Sequence, residues 1–206
     1  MLQRKTPNMR LLIDTDAFCL LGVYDLLDEV RKLLNLDISQ CFRIAALPYM
    51  LKRGKLHEKL GDELSDRLAG IVRLYPEIET VENKWVDRFA QVPSIDPGET
   101  QIFAIAAVDP EAIVITNDKR SLRALLQVAG STDALNGKIL TIEEVLLSLC
   151  EQLSIEEVRG KIAQHSDLDK MVQICFSSLN PDPIEGLQSY RDSLQRDLVP
   201  LELMNL

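Results

Sequence analysis

The sequence predicts an α/β protein: a three-layer α/β/α sandwich with a central parallel sheet, followed by a helical C-terminal extension. Short apolar segments of strand length alternate with segments of helical periodicity, which is the pattern of a parallel sheet covered by helices on both faces. The 206 residues are 46% apolar, which is enough to bury a core of this kind. We expect one domain over residues 1–150 and an acidic helical extension over residues 151–206.

The first 90 residues contain two strand candidates and three helix candidates. The apolar run at 10–14 ends in Asp14 and has the length of a buried strand. Asp16 can cap the next helix, because apolar residues recur at helical spacing from there to about residue 35. Pro48 closes the second apolar run and suits the first turn of a helix. We therefore expect strands at 10–14 and 41–47, and helices at 16–35, 49–75 and 77–90.

The next part of the chain carries clear helix-start signals. Asp96-Pro97-Gly98-Glu99 combines an N-cap residue, a proline at the first helical position and an acid three residues after the cap, which is a capping-box pattern. A continuous apolar run of strand length follows at 112–116, and Asn117-Asp118 turns the chain. We expect strands at 112–116 and 138–141. Helices are expected at 96–108, 121–128, 167–178 and 184–196, and two more begin at Thr141 and at Ser154.

Charge and cysteine content narrow the class of protein. The net charge is −9, but residues 1–140 carry 18 basic against 20 acidic side chains, whereas residues 141–206 carry 5 against 12. An acidic tail argues against broad, non-specific nucleic-acid binding. No apolar run is long enough for a membrane span or a signal peptide, so we expect no membrane association and a cytoplasmic location. The four cysteines are widely spaced, which disfavours zinc and disulfides.

Three acids, Asp14, Glu99 and Asp118, are predicted to meet at one edge of the sheet, with Asp16 close by. Asp14 and Asp118 follow strand ends. Glu99 lies at a helix start, and Asp16 is close to Asp14 in sequence. Because ligands of open α/β sheets bind at the carboxyl edge, a carboxylate cluster there predicts Mg²⁺ or Mn²⁺, which can activate water for attack on a phosphodiester. Helix capping is the alternative for all but Asp14, whose burial at a strand end requires a partner.

Basic and amide side chains follow the last of these acids directly. Lys119 and Arg120 suit contacts to a phosphate backbone, and Asn117 precedes them at the same turn. An ordinary solvated helix face is the alternative for the two bases.

Three motifs together resemble the PIN-domain family. They are Leu-Leu-Ile-Asp-Thr-Asp-Ala-Phe at 11–18, Gly-Glu-Thr-Gln-Ile-Phe-Ala-Ile-Ala at 98–106 and Val-Ile-Thr-Asn-Asp-Lys-Arg at 114–120. The similarity covers roughly residues 10–145, and it implies a Mg²⁺- or Mn²⁺-dependent endoribonuclease. Carried over by motif, Asp14, Glu99 and Asp118 are the catalytic and metal-binding acids, with Asp16 as a further metal ligand. RNA is the implied substrate; an antitoxin or another protein partner, and a homodimer, stay open.

One helix departs from the family pattern. The family places a further acid after the second strand, whereas this chain has Lys52-Arg53-Gly54-Lys55. Lys52 and Arg53 suit phosphate binding, and Asp16 or Glu58 is a candidate replacement for the acid. The departure leaves open a PIN-like module that binds RNA or protein without cleaving.

A phosphatase of the haloacid-dehalogenase type is the alternative from another class of enzyme. Asp14-Thr15-Asp16 resembles its nucleophile loop, and the segment 61–66 resembles its later Gly-Asp-x-x-x-Asp motif. Phe18 replaces the threonine or valine of that loop, and the residues before Gly61 are polar, which disfavours this alternative.

Overall fold

The computed structural model describes residues 8–206 and contains, within that range, four parallel strands: β1 (Arg10–Ile13), β2 (Cys41–Arg43), β3 (Ala112–Thr116) and β4 (Ile139–Thr141). They form one sheet in the order β2-β1-β3-β4, with Leu12 of β1 opposite Val114 of β3. Helices cover both faces, so the predicted α/β/α sandwich with a parallel sheet is confirmed. Residues 1–7 lie outside the described range. They belong to the N-terminal segment in which the sequence predicts no signal peptide.

Twelve helices are present between residues 8 and 206, together with 3₁₀ turns at Ile38–Gln40 and Ser166–Leu168. The helices are α1 (Thr15–Val23), α2 (Leu27–Leu33), α3 (Leu47–Met50), α4 (Lys55–Val72), α5 (Lys84–Ala90), α6 (Pro97–Ala106), α7 (Lys119–Leu125), α8 (Ser131–Leu135), α9 (Ile142–Gln152), α10 (Ile155–Ile162), α11 (Lys170–Cys175) and α12 (Pro183–Leu198). None of the described helices is both long and apolar enough to cross a membrane.

The sheet separates two apolar cores, because successive side chains of a strand point to opposite faces. Leu11 and Ile13 belong to the core beneath α1, α2 and α9, whereas Leu12 belongs to the core beneath α5, α6 and α7. Both faces of the central strands are therefore buried, which explains why those strands read as continuous apolar runs.

Several predicted elements differ from the structure. The strand expected at 41–47 ends at Arg43, and the helical segment expected at 49–75 is divided into α3 and α4, with Gly54 and Gly61 at positive φ. The helix expected at 16–35 is two helices, α1 and α2, because the chain turns after Val23 and Asp25 adopts a left-handed conformation with φ of 55°. Asp14, not Asp16, is the N-cap of α1. The helix expected at 77–90 begins only at Lys84; Glu77 instead forms a parallel bridge with Arg43 beside β2.

The C-terminal extension packs on the domain through α12 and the last residues of the chain. Glu144 of α9 accepts hydrogen bonds from the Arg191 guanidinium at 3.1 Å and from the backbone N–H of Leu206 at 2.8 Å. The backbone N–H of Met204 donates to the carbonyl of Ile139, and that of Gly137 donates to the carbonyl of Glu202. The final residues therefore run along the outer edge of β4.

Candidate active site at the carboxyl edge of the sheet

Asp14 is a buried carboxylate at the end of β1. It is 6% exposed, and its oxygens accept hydrogen bonds from the backbone N–H of Thr15 at 2.7 Å and from the Thr116 hydroxyl at 3.3 Å. Burial is the main reason that its pKa is raised to about 8, and the negative charges of Glu99 and Asp16 add to the effect. β1 and β3 thus hold an acid whose ionised form lacks a compensating positive charge.

Glu99 is the second buried carboxylate of the edge. It is 4% exposed and forms the predicted capping box, in which its carboxylate accepts from the N–H of Asp96 and the Asp96 carboxylate accepts from the N–H of Glu99, both at 2.8 Å. Burial raises its pKa to about 7, although the hydrogen bonds from Asp96 and Ser121 oppose that shift. Glu99 is thus part of a helix cap and also a neighbour of Asp14, whose pKa is raised by the negative charge of Glu99.

Asp118 has a different environment. One of its oxygens accepts from the backbone N–H groups of Arg120 and Ser121 at the start of α7, and the other accepts from the Arg120 guanidinium at 3.0 Å. Burial pushes the pKa of Asp118 up, but the contacts with Arg120 and Ser121 outweigh burial and hold that pKa below its usual range. Asp118 is therefore ionised at neutral pH, and it is an N-cap as well as a neighbour of Glu99.

An open cleft of about 420 Å³ is lined by Asp16 and Asp118, whereas the buried Asp14 and Glu99 do not line it. Asp16 is exposed at this cleft, and its charge acts on Asp14. The sheet edge contributes Asp16, Asn117, Asp118, Lys119 and Arg120, and the extension contributes Asp169, Lys170, Met171 and Tyr190. The acids are neighbours in pairs: the charges of Glu99 and Asp16 act on Asp14, and the charge of Asp118 acts on Glu99.

Two residues expected to bind substrate are engaged in contacts within the protein. The Lys119 ammonium pairs with Glu143, whose side chain is fully buried, and lies 5.3 Å from the centre of the Tyr190 ring. The Asn117 amide donates to the Asp169 carboxylate at 2.9 Å. Both side chains join the sheet edge to the helices that follow it, and Arg120 remains exposed.

Lys52 and Arg53, which stand where the resemblance predicts an acid, do not contact the acids of the sheet edge. Lys52 and Arg53 are exposed between α3 and α4, and the Arg53 guanidinium lies 4.1 Å from the centre of the Tyr49 ring. Among residues 8–206, no hydrogen bond or ion pair connects either base to Asp14, Glu99 or Asp118. Their expected role in phosphate binding has no geometric support here.

A lysine of α4 lies near Asp16. Lys59 lines a small pocket next to Asp16, together with apolar side chains of α1 and α4. Glu58, the candidate replacement, is exposed and does not line this pocket. Helix α4 therefore brings a lysine to the neighbourhood of the acids.

The carboxylate oxygens of these acids are the type of donor that a hard divalent cation prefers, but the acids are not spaced to hold one. Asp14 and Glu99 offer oxygen donors only, and a cation would remove the electrostatic cost of ionising them. In the part of the chain that the structure describes, no group of three or more His, Cys, Asp or Glu side chains is arranged to hold a metal ion. Asp118 directs its oxygens to α7 and Arg120 instead.

Four residues of this region were not singled out as site candidates from the sequence: Lys59, Asp169, Lys170 and Tyr190. Asp169 caps α11 by accepting from the N–H of Val172, so a helix start was detectable there. Its position beside Asn117 depends on how the extension folds back, which no local pattern encodes.

Comparison of the chain with protein-family models, curated proteins and solved structures gave no match.

Proposed function

We propose that this protein is a divalent-metal-dependent ribonuclease of PIN type that hydrolyses phosphodiester bonds in RNA. One observation carries the proposal: Asp14 and Glu99 are both buried at the carboxyl edge of the sheet, with raised pKa values. Within the described range, no lysine or arginine bonds to either carboxylate. Burying acids without a positive partner is costly, and such a cost is typical of a functional site.

Each side chain has a separate role in this proposal. Asp14 and Glu99 would hold the ion, and Asp16 and Asp118 lie next to them. A bound Mg²⁺ or Mn²⁺ supplies Lewis acidity toward the phosphoryl group and lowers the pKa of a bound water. The Thr116 hydroxyl fixes the orientation of Asp14 through its hydrogen bond. No side chain is required as a nucleophile.

Arg120 is the cation best placed to contact the substrate backbone. Its guanidinium is exposed, bonded to the ionised Asp118, and close enough to Glu99 and Asp16 for their charges to act on it. A phosphate that approaches the acids would therefore meet Arg120 at the same edge.

A non-catalytic module that binds RNA or protein is the second candidate. It is favoured by Lys52-Arg53-Gly54-Lys55, which stands where the resembled family has an acid, and by the absence of a preformed group of three donors among residues 8–206. The phosphatase alternative gains no support, because Asp62 and Asp66 lie on exposed turns of α4.

The test compares RNA cleavage in the presence of Mn²⁺ by the wild type, Asp14→Asn and Glu99→Gln. Loss of a metal-binding acid is expected to reduce the cleavage rate by roughly 100-fold or more. Glu79→Gln is a matched control, because Glu79 is an exposed acid outside the site, and it should cleave at the wild-type rate. Equal rates in all four proteins, or no cleavage by the wild type, would contradict the proposal.

Thermal unfolding separates the two candidates. A binding module without a metal site would show no change in melting temperature when Mn²⁺ is added. The proposed enzyme should be stabilised by Mn²⁺ in the wild type, and this stabilisation should be lost in Asp14→Asn.

A further inference from the structure

The C-terminal extension forms part of the cleft beside the acids. Lys170 and Met171 come from the start of α11, and Tyr190 comes from the middle of α12. The hydrogen bond between Asn117 and Asp169 ties this part of the extension to the sheet edge. The cleft is open, and its volume lies in the range of ligand-binding sites. A substrate that contacts Asp16 and Asp118 would therefore also meet the extension.

Lys170 is a cation available to a ligand in this cleft. The extension has five basic residues, and three of them are engaged in contacts within the extension or with the domain. Arg159 donates to the carbonyls of Phe176, Ser177 and Asn180, Lys161 pairs with Asp25, and Arg191 pairs with Glu144 and Asp192. Lys170 is exposed at the cleft and has no ion pair with any carboxylate of the described chain. In an otherwise acidic segment, this free ammonium group at the cleft suits an anion.

Tyr190 adds an aromatic surface to the same wall. Its side chain is half-buried, packs partly on the apolar core and lines the cleft. The Lys119 ammonium lies 5.3 Å from the ring centre, which helps to fix the position of the ring. An aromatic ring in a cleft with a nearby cation is the combination that binds unpaired bases of a single strand. Bases within a duplex are already stacked on their neighbours and do not offer a free face.

We propose that Lys170 and Tyr190 form a binding subsite for single-stranded RNA, in which Lys170 contacts a phosphate and the Tyr190 ring stacks on a base. The subsite rests on the proposed function, since it assigns to the extension the part of the substrate that flanks the scissile bond. It also gives the acidic extension a role in substrate recognition through two of its residues.

The experiment measures the affinity of the full-length protein for a short fluorescein-labelled single-stranded RNA of mixed sequence. Fluorescence anisotropy is recorded in EDTA, where no cleavage occurs. Lys170→Ala should bind roughly tenfold more weakly, and the slope of log affinity against log salt should fall by about 0.7, the value for one phosphate contact. Tyr190→Leu should also bind roughly tenfold more weakly, because leucine keeps apolar packing and loses stacking.

Two controls separate recognition from folding and from overall charge. Tyr190→Phe retains the ring and should bind like the wild type. Arg196→Ala removes an exposed base of the same extension that does not line the cleft, and it should leave both the affinity and the salt slope unchanged. Melting temperatures of all variants establish that each protein is folded.

The outcomes distinguish the subsite from the ribonuclease activity. If the wild type cleaves RNA and Lys170→Ala and Tyr190→Leu bind as tightly as it does, the subsite is wrong and the activity stands. If the wild type binds RNA, the two variants lose affinity and no protein cleaves with Mn²⁺, the subsite stands and the enzyme is wrong. Absence of RNA binding by the wild type overturns the subsite.

Discussion

Replacing Asp14 with asparagine should stabilise the metal-free protein at neutral pH while it removes most of the proposed ribonuclease activity. The folded state prefers the neutral form of Asp14, because burial raises its pKa from 3.8 to about 8. The folded protein therefore binds more protons than the unfolded chain between pH 4 and pH 8, so the free energy of unfolding falls as pH rises through this window. Asparagine has the same shape but carries no charge. Its amide can still accept from Thr15 and can donate to Thr116.

The magnitude follows from the two pKa values. At about 1.4 kcal/mol per pKa unit, ionisable Asp14 opposes folding by about 4 kcal/mol at pH 7 and by about 1 kcal/mol at pH 4.5. After relaxation of the site, we expect Asp14→Asn to raise the free energy of unfolding by about 3 kcal/mol at pH 7, equivalent to roughly 6–12 °C in melting temperature. The gain should largely vanish at pH 4.5.

Urea unfolding at pH 4.5, 7 and 8, in EDTA, provides the measurement. Glu79→Gln is the control for loss of one negative charge, and its stability should follow that of the wild type at each pH. An Asp14→Asn variant that is no more stable than the wild type at pH 8, or whose gain is the same at all three pH values, would refute the account of Asp14 as a buried, uncompensated acid.

Three further predictions follow from the same structure. Lys119→Met should lower the free energy of unfolding by about 3–5 kcal/mol, because it leaves Glu143 buried without its partner. In a double-mutant cycle measured by urea unfolding, adding Glu143→Leu to Lys119→Met should recover much of this loss. Gly98→Ala should cost no more than about 1 kcal/mol in the same assay, since its Cβ would lie 2.7 Å from Cδ1 of Ile44, the end of a side chain that can move aside. A loss well above this value would show that Ile44 is held rigidly. The apparent affinity for Mn²⁺ should increase as pH rises from 6 to 8, because Asp14 must lose its proton to bind the ion. The rise in melting temperature on addition of Mn²⁺ measures this affinity. An affinity that does not depend on pH would exclude Asp14 as a ligand.

The local sequence was sufficient to predict the acids of the edge but not their individual environments. Asp14 and Asp118 were located because strand ends are visible as the ends of apolar runs, and Glu99 because its capping box is a local pattern that the structure confirms. The opposite pKa shifts of Asp14 and Asp118 depend on burial and on the Arg120 side chain, which only the fold determines.

The errors have a common physical origin. The break between α1 and α2 occurs at Asp25, where neither glycine nor proline marks the turn, and apolar periodicity continues across it. The ion pair of Lys119 was not predicted, because its buried partner, Glu143, lies 24 positions further along the chain. Helix propensity and spacing report on neighbours within a few residues, so long-range ion pairs escape them.

The closing of both sheet edges has a consequence for shortened forms of the chain. The Arg43–Glu77 bridge lies beside β2, and residues 202–204 lie along β4 through backbone hydrogen bonds. An unprotected strand edge is a template for pairing with another molecule. A chain cut after residue 150 would expose the β4 edge and the apolar surface that Leu194, Leu198 and Leu201 cover, and it should self-associate. Residues 202–204 are therefore expected to protect the β4 edge from aggregation as well.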